Sequence, residues 1–360
     1  MTVPAIALIQ VRDRVDSALR AFASQQRAVL LSAGDELLPG IEAMTGLLAG
    51  GKRLRPAFCY WGWRGAGGAD GPQIIGAAAA LELLHASALV HDDLMDASDT
   101  RRGQPSLHRQ FEAYHAGRGW HGSPGAFGMG MAILLGDLLL AWTDEMFHGS
   151  GLPASALRRG RPVLDLMRTE VFAGQYLDLV GQAAGDGTLE SALRVVEYKT
   201  TKYTIERPLH LGAALAGADM GAPPGGLVAA YTAYGLPLGT AFQLRDDILG
   251  VFGDPAQTGK PAGDDVREGK HTVLLAIARA RASAAQAAII DRYLGDPLLD
   301  EAGTAEVRTV ITDTGAVVEC EAMISRHVGE AVAALAAAPI TGEARGALAD
   351  LAVAATARDG

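Results

Sequence analysis

Asparagine is absent from all 360 residues, whereas alanine, glycine and arginine are abundant. We read this as a compositional bias of the source genome. Cysteine is scarce. Cys59 and Cys320 stand far apart without metal-type spacing, so two reduced thiols in an intracellular protein are expected. The N-terminus has no basic segment leading into an apolar one, so no signal peptide is expected. Apolar runs are broken by charge or fall short of the roughly 20 residues that a membrane span needs. Positive charge is in deficit as well: a formal net charge of −10 argues against a nucleic-acid binder with its basic face. Sustained period-two alternation is missing, so strands are not expected. No polar spacer divides the chain and no repeat is evident. The expectation is a soluble, cytoplasmic, all-α protein, with residues 1–360 forming one bundle of ten or more helices.

Hydrophobic residues make up 49% of the chain, enough to bury a sizeable core. Apolar positions recurring every three to four residues predict helices over 53–64, 73–96, 129–148, 155–182, 188–216 and 226–253. Residues 1–50 read as amphipathic helices with breaks near Gly34 and Pro39. The stretch 97–128 reads as a loop with short helical pieces, and 254–269 as a Gly/Pro/Asp loop. Beyond it lies Ala-rich helix, broken at Pro339.

Two aspartate clusters interrupt this apolar chain. The first is His91-Asp92-Asp93-Leu94-Met95-Asp96, and the second runs from Gln243 through Asp246-Asp247 to Asp254. Each follows strongly apolar helical sequence, so both are expected to point inward. Carboxylates are costly to bury unless paired or metal-bound. Asp92 and Asp96 are four apart, one turn on one helix face, where two like charges call for a cation. Facing carboxylates make a magnesium cage, which usually also binds phosphates. Position 250, four beyond Asp246, is glycine, so the second cluster offers fewer ligands; Asp254 is placed to reach back.

The counterpart is a set of cations. Gly50-Gly51-Lys52-Arg53-Leu54-Arg55-Pro56 puts three of them at a helix start, a favourable anion site. Arg101-Arg102, Lys199, Lys260 and Lys270 add more. Any one alone is ordinarily a surface charge, but an acidic protein that gathers cations beside acid clusters has room for magnesium and diphosphate together. His85 lies seven before Asp92, on its face. Lys199-Thr200 sits mid-helix, and Gln175 and Asp178 share a face.

From Gly50 to Thr272 these motifs resemble, in order and spacing, the trans-isoprenyl diphosphate synthases, the prenyltransferases that include farnesyl and geranylgeranyl diphosphate synthases. The resemblance implies an isoprenoid-synthase bundle around a central cavity and a homodimer, with 129–148 as the interface. It implies that Lys52, Arg55, His85 and Arg102 hold isopentenyl diphosphate. Asp92, Asp96 and Asp246 would hold magnesium, as three ions. Arg101, Lys199, Lys260 and Lys270 would hold the allylic diphosphate, and Thr200 and Gln243 would place lone pairs near the developing cation. Gly250 departs from the pattern, which often has a third Asp there, and the departure bears on metal affinity.

Product length should follow cavity depth below the first cluster, where Ser87, Ala88, Leu84 and nearby Leu83 lie. In this family a bulky aromatic at that level stops growth at the farnesyl length, whereas small residues let the chain pass, so geranylgeranyl diphosphate is the expected product and farnesyl or longer products the alternatives. A terpene cyclase also uses magnesium and an Asp-rich motif, but needs a second motif of the Asn/Asp…Ser/Thr…Glu type and leaves Lys52, Arg55 and His85 unexplained. A non-catalytic subunit of a heteromeric prenyltransferase is the alternative of another class; such subunits usually lose an aspartate motif.

Overall fold

The structure, a computed structural model, describes residues 6–185, 187–221, 225–254 and 263–356. Four helices open the chain: α1 (Ile6–Leu31), α2 (Leu38–Leu48), α3 (Leu54–Gly65) and α4 (Pro72–Met95). Pro72 starts α4 where its missing N–H is not needed. Ile74, Ala77, Leu81, Leu83 and Leu84 bury α4 on all sides, which marks a central core helix. Contrary to the sequence expectation, α4 is long and apolar enough to cross a membrane by length and composition, but 72% of that stretch is buried within the protein.

The segment read as a loop holds more structure than expected. A two-residue antiparallel pair joins Thr100–Arg101 to Gln104–Pro105, the one strand pairing among the described residues. Helix α5 (Leu107–Arg118) follows, and α6 (Pro124–His148) begins five residues before the predicted start. Ser123 caps α6 by accepting from the Ala126 N–H. The glycines that masked this start have a packing reason: a methyl at Gly128 would stand 3.0 Å from the Glu112 backbone nitrogen of α5. Helix α6 also passes the length and composition test for a span, and only 33% of its apolar stretch is buried. It packs on α4 and leaves Met129, Ile133 and Leu134 exposed.

Helix α7 (Ala154–Ala184) and α10 (Leu227–Phe252) flank a segment of three parts: α8 (Leu189–Val195), a π-helix (Val196–Glu206) and α9 (Arg207–Ala216). The sequence predicted one uniform helix here. The wider π turn is seated on glycines of its neighbours. A methyl at Gly174 of α7 would lie 2.7 Å from the Lys199 Cα, and one at Gly239 of α10 would lie 2.7 Å from the Thr201 Cα. π segments of this kind cluster at functional sites.

The C-terminal helices Val273–Arg281, Ala284–Tyr293, Glu301–Asp313, Ala316–Ala337 and Gly342–Thr356 close the bundle, with the last break around Pro339 as expected. Two apolar clusters form, and α10 belongs to both: Leu238 and Phe242 enter one, Leu244, Ile248 and Val251 the other. Cys59 and Cys320 are free and buried, and burial pushes the Cys320 thiol up to about 12.

Candidate active site

A cavity of about 800 Å³ opens between α3, α4, α7, the π-helix and α10. Asp92 and Asp96 lie one turn apart at the C-terminal end of α4, the Asp96 N–H donating to the Asp92 carbonyl at 2.8 Å. Asp93 turns away and accepts from Arg101 Nε at 2.8 Å.

Two ammonium groups stand among these carboxylates. Lys199 Nζ donates to Asp92 Oδ1 at 3.0 Å and to Asp178 Oδ2 at 2.6 Å. Lys270 Nζ lies 3.1 Å from Asp96 Oδ2 and 3.9 Å from Asp265 Oδ1, and also pairs with Glu268. Burial alone would raise the Asp92 carboxyl, but Lys199, Lys270 and Arg101 hold it well below the usual range. Asp96 moves the other way: burial raises it, with the Asp92 charge adding, although Lys270 opposes.

Among the described residues, no three acidic, imidazole or thiol side chains converge on one point closely enough to hold an ion alone. Asp96 Oδ1 and Asp247 Oδ2 are nonetheless buried without a hydrogen-bond partner, while Asp96 Oδ2 has the Lys270 ammonium at 3.1 Å. Orphaned carboxylate oxygens are costly in a dry interior. They suit a small, hard cation that keeps several waters and completes its shell with phosphate oxygens, which is how magnesium binds.

Along α10, Gln243, Asp246 and Asp247 face the same space. The helix runs on to Phe252, within a residue of the predicted end. Thr200 Oγ1 donates to Gln243 Oε1 at 2.7 Å, and Gln243 Nε2 donates to Asp247 Oδ1 at 2.8 Å. Burial, with Asp265 and Asp246 adding, pushes the Asp247 carboxyl up to about 7.

A second set of cations lines the same cavity. Gly50 and Gly51 adopt φ 86° and 107°, and Arg53 itself is left-handed at φ 54°. This twist splits the three cations. Arg53 turns into the core, where Nε donates to Asp16 at 2.7 Å and Nη1 to Glu82 at 2.7 Å. Lys52 and Arg55 face the cavity. Arg55 donates to Thr204 Oγ1 at 2.8 Å and lies 4.3 Å over the Tyr203 ring. Arg102 and Gly103, both with positive φ, form the two-residue turn of the small hairpin, and Arg102 Nη1 reaches the Leu47 carbonyl at 3.1 Å. His85 lies between; burial, then the Arg55 and Arg102 guanidiniums, push its imidazole well below the usual value.

Every site residue predicted from sequence lines this cavity except two. Asp96 sits just behind it at 1% side-chain exposure, against Lys270. Lys260 lies outside the described residues. Leu84, Ser87 and Ala88 line an apolar portion with Val171 and Phe172, whereas Leu83 turns into the core. Among those missed are Tyr203 and Asp265, which line the cavity, and Glu268, which pairs with Lys270 and accepts from Ser98. For Tyr203 a signal existed, its position four residues after Lys199. The other two depend on tertiary contacts that no periodicity records.

The polyprenyl synthetase family profile matches residues 41–312. The chain belongs to the polyprenyl synthetase family. A geranylgeranyl pyrophosphate synthase from Corynebacterium glutamicum, solved with isoprenyl diphosphate and magnesium, has a TM-score of 0.93 and 41% identity over 98% of this chain and 99% of that one. Heptaprenyl diphosphate synthase component 2 of Geobacillus stearothermophilus is 34% identical over 89% of this chain and 90% of its own length. Geranylfarnesyl diphosphate synthase of Aeropyrum pernix is 33% identical over 79% and 82% respectively. As a polyprenyl synthetase, the chain is a magnesium-dependent trans-prenyltransferase of isoprenyl diphosphates with the all-α fold of that family.

Proposed function

We propose that the chain condenses isopentenyl diphosphate with an allylic diphosphate (dimethylallyl, geranyl or farnesyl) to give geranylgeranyl diphosphate and free diphosphate. The observation that carries this reading is one cavity lined by two separate sets of cations. Lys199 and Lys270 are paired to the aspartates, and Lys52, Arg55, His85 and Arg102 line the same cavity as a second set. Two diphosphates need two such sets, whereas a single-substrate cyclase needs one.

Asp92, Asp96 and Asp246 are the residues we assign to magnesium, as three ions; when bound, magnesium lends its charge to the departing diphosphate. Arg101, Lys199 and Lys270 are assigned to the allylic diphosphate, and Lys260 by its place in the motif, to stabilise the charge that grows on it as the C1–O bond breaks. The Thr200 hydroxyl gives its hydrogen to Gln243, which leaves its lone pairs for the allylic cation. Val171, Phe172 and Leu84 keep water from that cation. The second set holds isopentenyl diphosphate so that its double bond reaches C1, and the proton then lost passes to the departing diphosphate.

Ser87 and Ala88 are small, so the growing chain passes them, which favours geranylgeranyl over farnesyl. The full chain 1–360 is taken as one cytoplasmic domain, because α10 joins both apolar clusters. It is taken as a homodimer through the exposed apolar face of α6 at Met129, Ile133 and Leu134. The deciding experiment incubates purified protein with magnesium, isopentenyl diphosphate and each allylic starter, and sizes the products. Geranylgeranyl diphosphate is expected; a product stopping at farnesyl would overturn the length, and no elongation from any starter would favour a non-catalytic subunit.

A further inference from the structure

We propose that Asp265 supplies the missing carboxylate of the second acidic cluster, in the space that Gly250 leaves open. This rests on the prenyltransferase reading and deepens it. A side chain at position 250 would share a helix face with Asp246, one turn away on α10. Glycine puts nothing there. A methyl built on Gly250 would overlap Asp265 Oδ2 and come within 2.6 Å of its Cγ. The Asp265 carboxylate therefore lies where the side chain of residue 250 would begin.

Local chemistry holds it there. Asp265 belongs to the short helix Asp264–Arg267, and its carbonyl accepts from the Lys270 N–H at 2.9 Å. Its neighbour Asp264 is engaged by Arg267 Nη1 at 3.2 Å. Asp265 Oδ1 instead looks toward Lys270 Nζ at 3.9 Å, the same ammonium that lies 3.1 Å from Asp96 of the first cluster. Asp247 Oδ2, in the same cavity, is buried with no partner, and its residue is 2% exposed. A buried orphan oxygen beside Asp246 and Asp265 points to a ligand that seeks oxygens, a divalent cation carrying diphosphate. Gly250 is then the gap that admits a carboxylate from the next short helix, and positions 250 and 265 are mutually exclusive sources of it.

The test is a titration of the full chain with Mn²⁺ in the presence of inorganic diphosphate, read by calorimetry and by the spin signal of free Mn²⁺. Asp265→Ala should weaken uptake by about 10–100-fold, and Asp265→Asn, which keeps the volume, should do the same. Gly250→Asp alone should bring no gain, because two carboxylates compete for one space. Gly250→Asp combined with Asp265→Ala should recover most of the affinity lost. Metal-free melting of each variant separates misfolding from lost binding. Uptake by Asp265→Asn equal to wild type, or a double variant no tighter than Asp265→Ala, overturns the assignment. A wild-type chain that takes up no Mn²⁺ with diphosphate overturns the prenyltransferase reading itself.

Discussion

Lys199 ties Asp92 to Asp178: one ammonium donates to the first at 3.0 Å and to the second at 2.6 Å. Three helical segments, α4, α7 and the π-helix, thereby meet at a single charge. Burial works against that charge, but the two carboxylates raise the lysine pKa above its ordinary value. The ammonium is thus permanently present where the leaving diphosphate is proposed to lie. Lys199→Gln keeps most of the volume and removes the charge. It should lower kcat by about 10²–10³-fold, the scale of losing one transition-state charge contact. KM for isopentenyl diphosphate, held by the other set, should move little. Steady-state kinetics with each substrate varied checks this, and a KM effect without a kcat effect would remove Lys199 from the ionising step.

Ser87 lines the apolar portion of the cavity at 2% exposure, one helical turn and a half below Asp92. Ser87→Phe should fill that portion and shift the product toward farnesyl diphosphate. Chromatography of the dephosphorylated products reads the outcome directly. An unchanged product would place the floor of the cavity elsewhere, at Leu84 or at Phe172.

Arg53 and Arg55 are two residues apart and do different work. Arg53 is 3% exposed and bridges Asp16 and Glu82, so Arg53→Met leaves two acids without their cation. Unfolding in urea should show a loss of about 3–5 kcal/mol. Arg55→Met should leave stability nearly intact and raise KM for isopentenyl diphosphate, because its guanidinium faces the cavity over Tyr203. Equal stability losses in the two variants would contradict this division.

The long helices were legible because α4, α7 and α10 carry apolar residues at helical spacing, and the site was legible because aspartates and cations are conspicuous in such a chain. What stayed hidden depends on contacts across the fold. The π turn is set by Gly174 and Gly239 of other helices, and the start of α6 was masked by glycines that serve packing against α5. The inward turn of Arg53 needs its left-handed backbone, which residue type does not announce. Gly250 read as a lost ligand because the carboxylate in its space comes from a short helix fifteen positions later, at Asp265.

His210 gives the fold a pH dependence with a definite sign. Burial first, then Arg207, pushes its pKa from 6.5 down to about 4. Arg207 Nη1 donates to Nδ1 at 3.1 Å, so the ring proton sits on Nε2 toward the Val228 carbonyl at 3.3 Å. The unfolded chain takes up a second ring proton near 6.5, while the folded chain refuses it until about 4. Stability from this group is therefore complete above 6.5 and is lost as pH falls toward 4, by about 3 kcal/mol in all. His85, also depressed by burial and by Arg55, acts in the same direction. Urea unfolding at about pH 7.5 and about pH 5 should show the decline, and His210→Gln should flatten it. An equally steep decline in that variant would assign the effect to other groups.

The seat beneath Lys199 separates positioning from packing. A methyl on Gly174 would press on the Lys199 Cα at 2.7 Å, and backbone cannot rotate away as a side chain can. Alanine ordinarily improves a helix over glycine by roughly 0.5–1 kcal/mol. Here overpacking of about 1–3 kcal/mol should outweigh that gain. The π turn must also shift, and Lys199 and Thr200 shift with it. Gly174→Ala should therefore lose more activity than its melting temperature accounts for, when kcat is measured well below the melt. Gly181→Ala on the same helix is the control, since a methyl there meets nothing within 4 Å and should be neutral or stabilising. If Gly174→Ala melts lower yet keeps its kcat, the glycine serves packing alone and the position of Lys199 tolerates the displaced backbone.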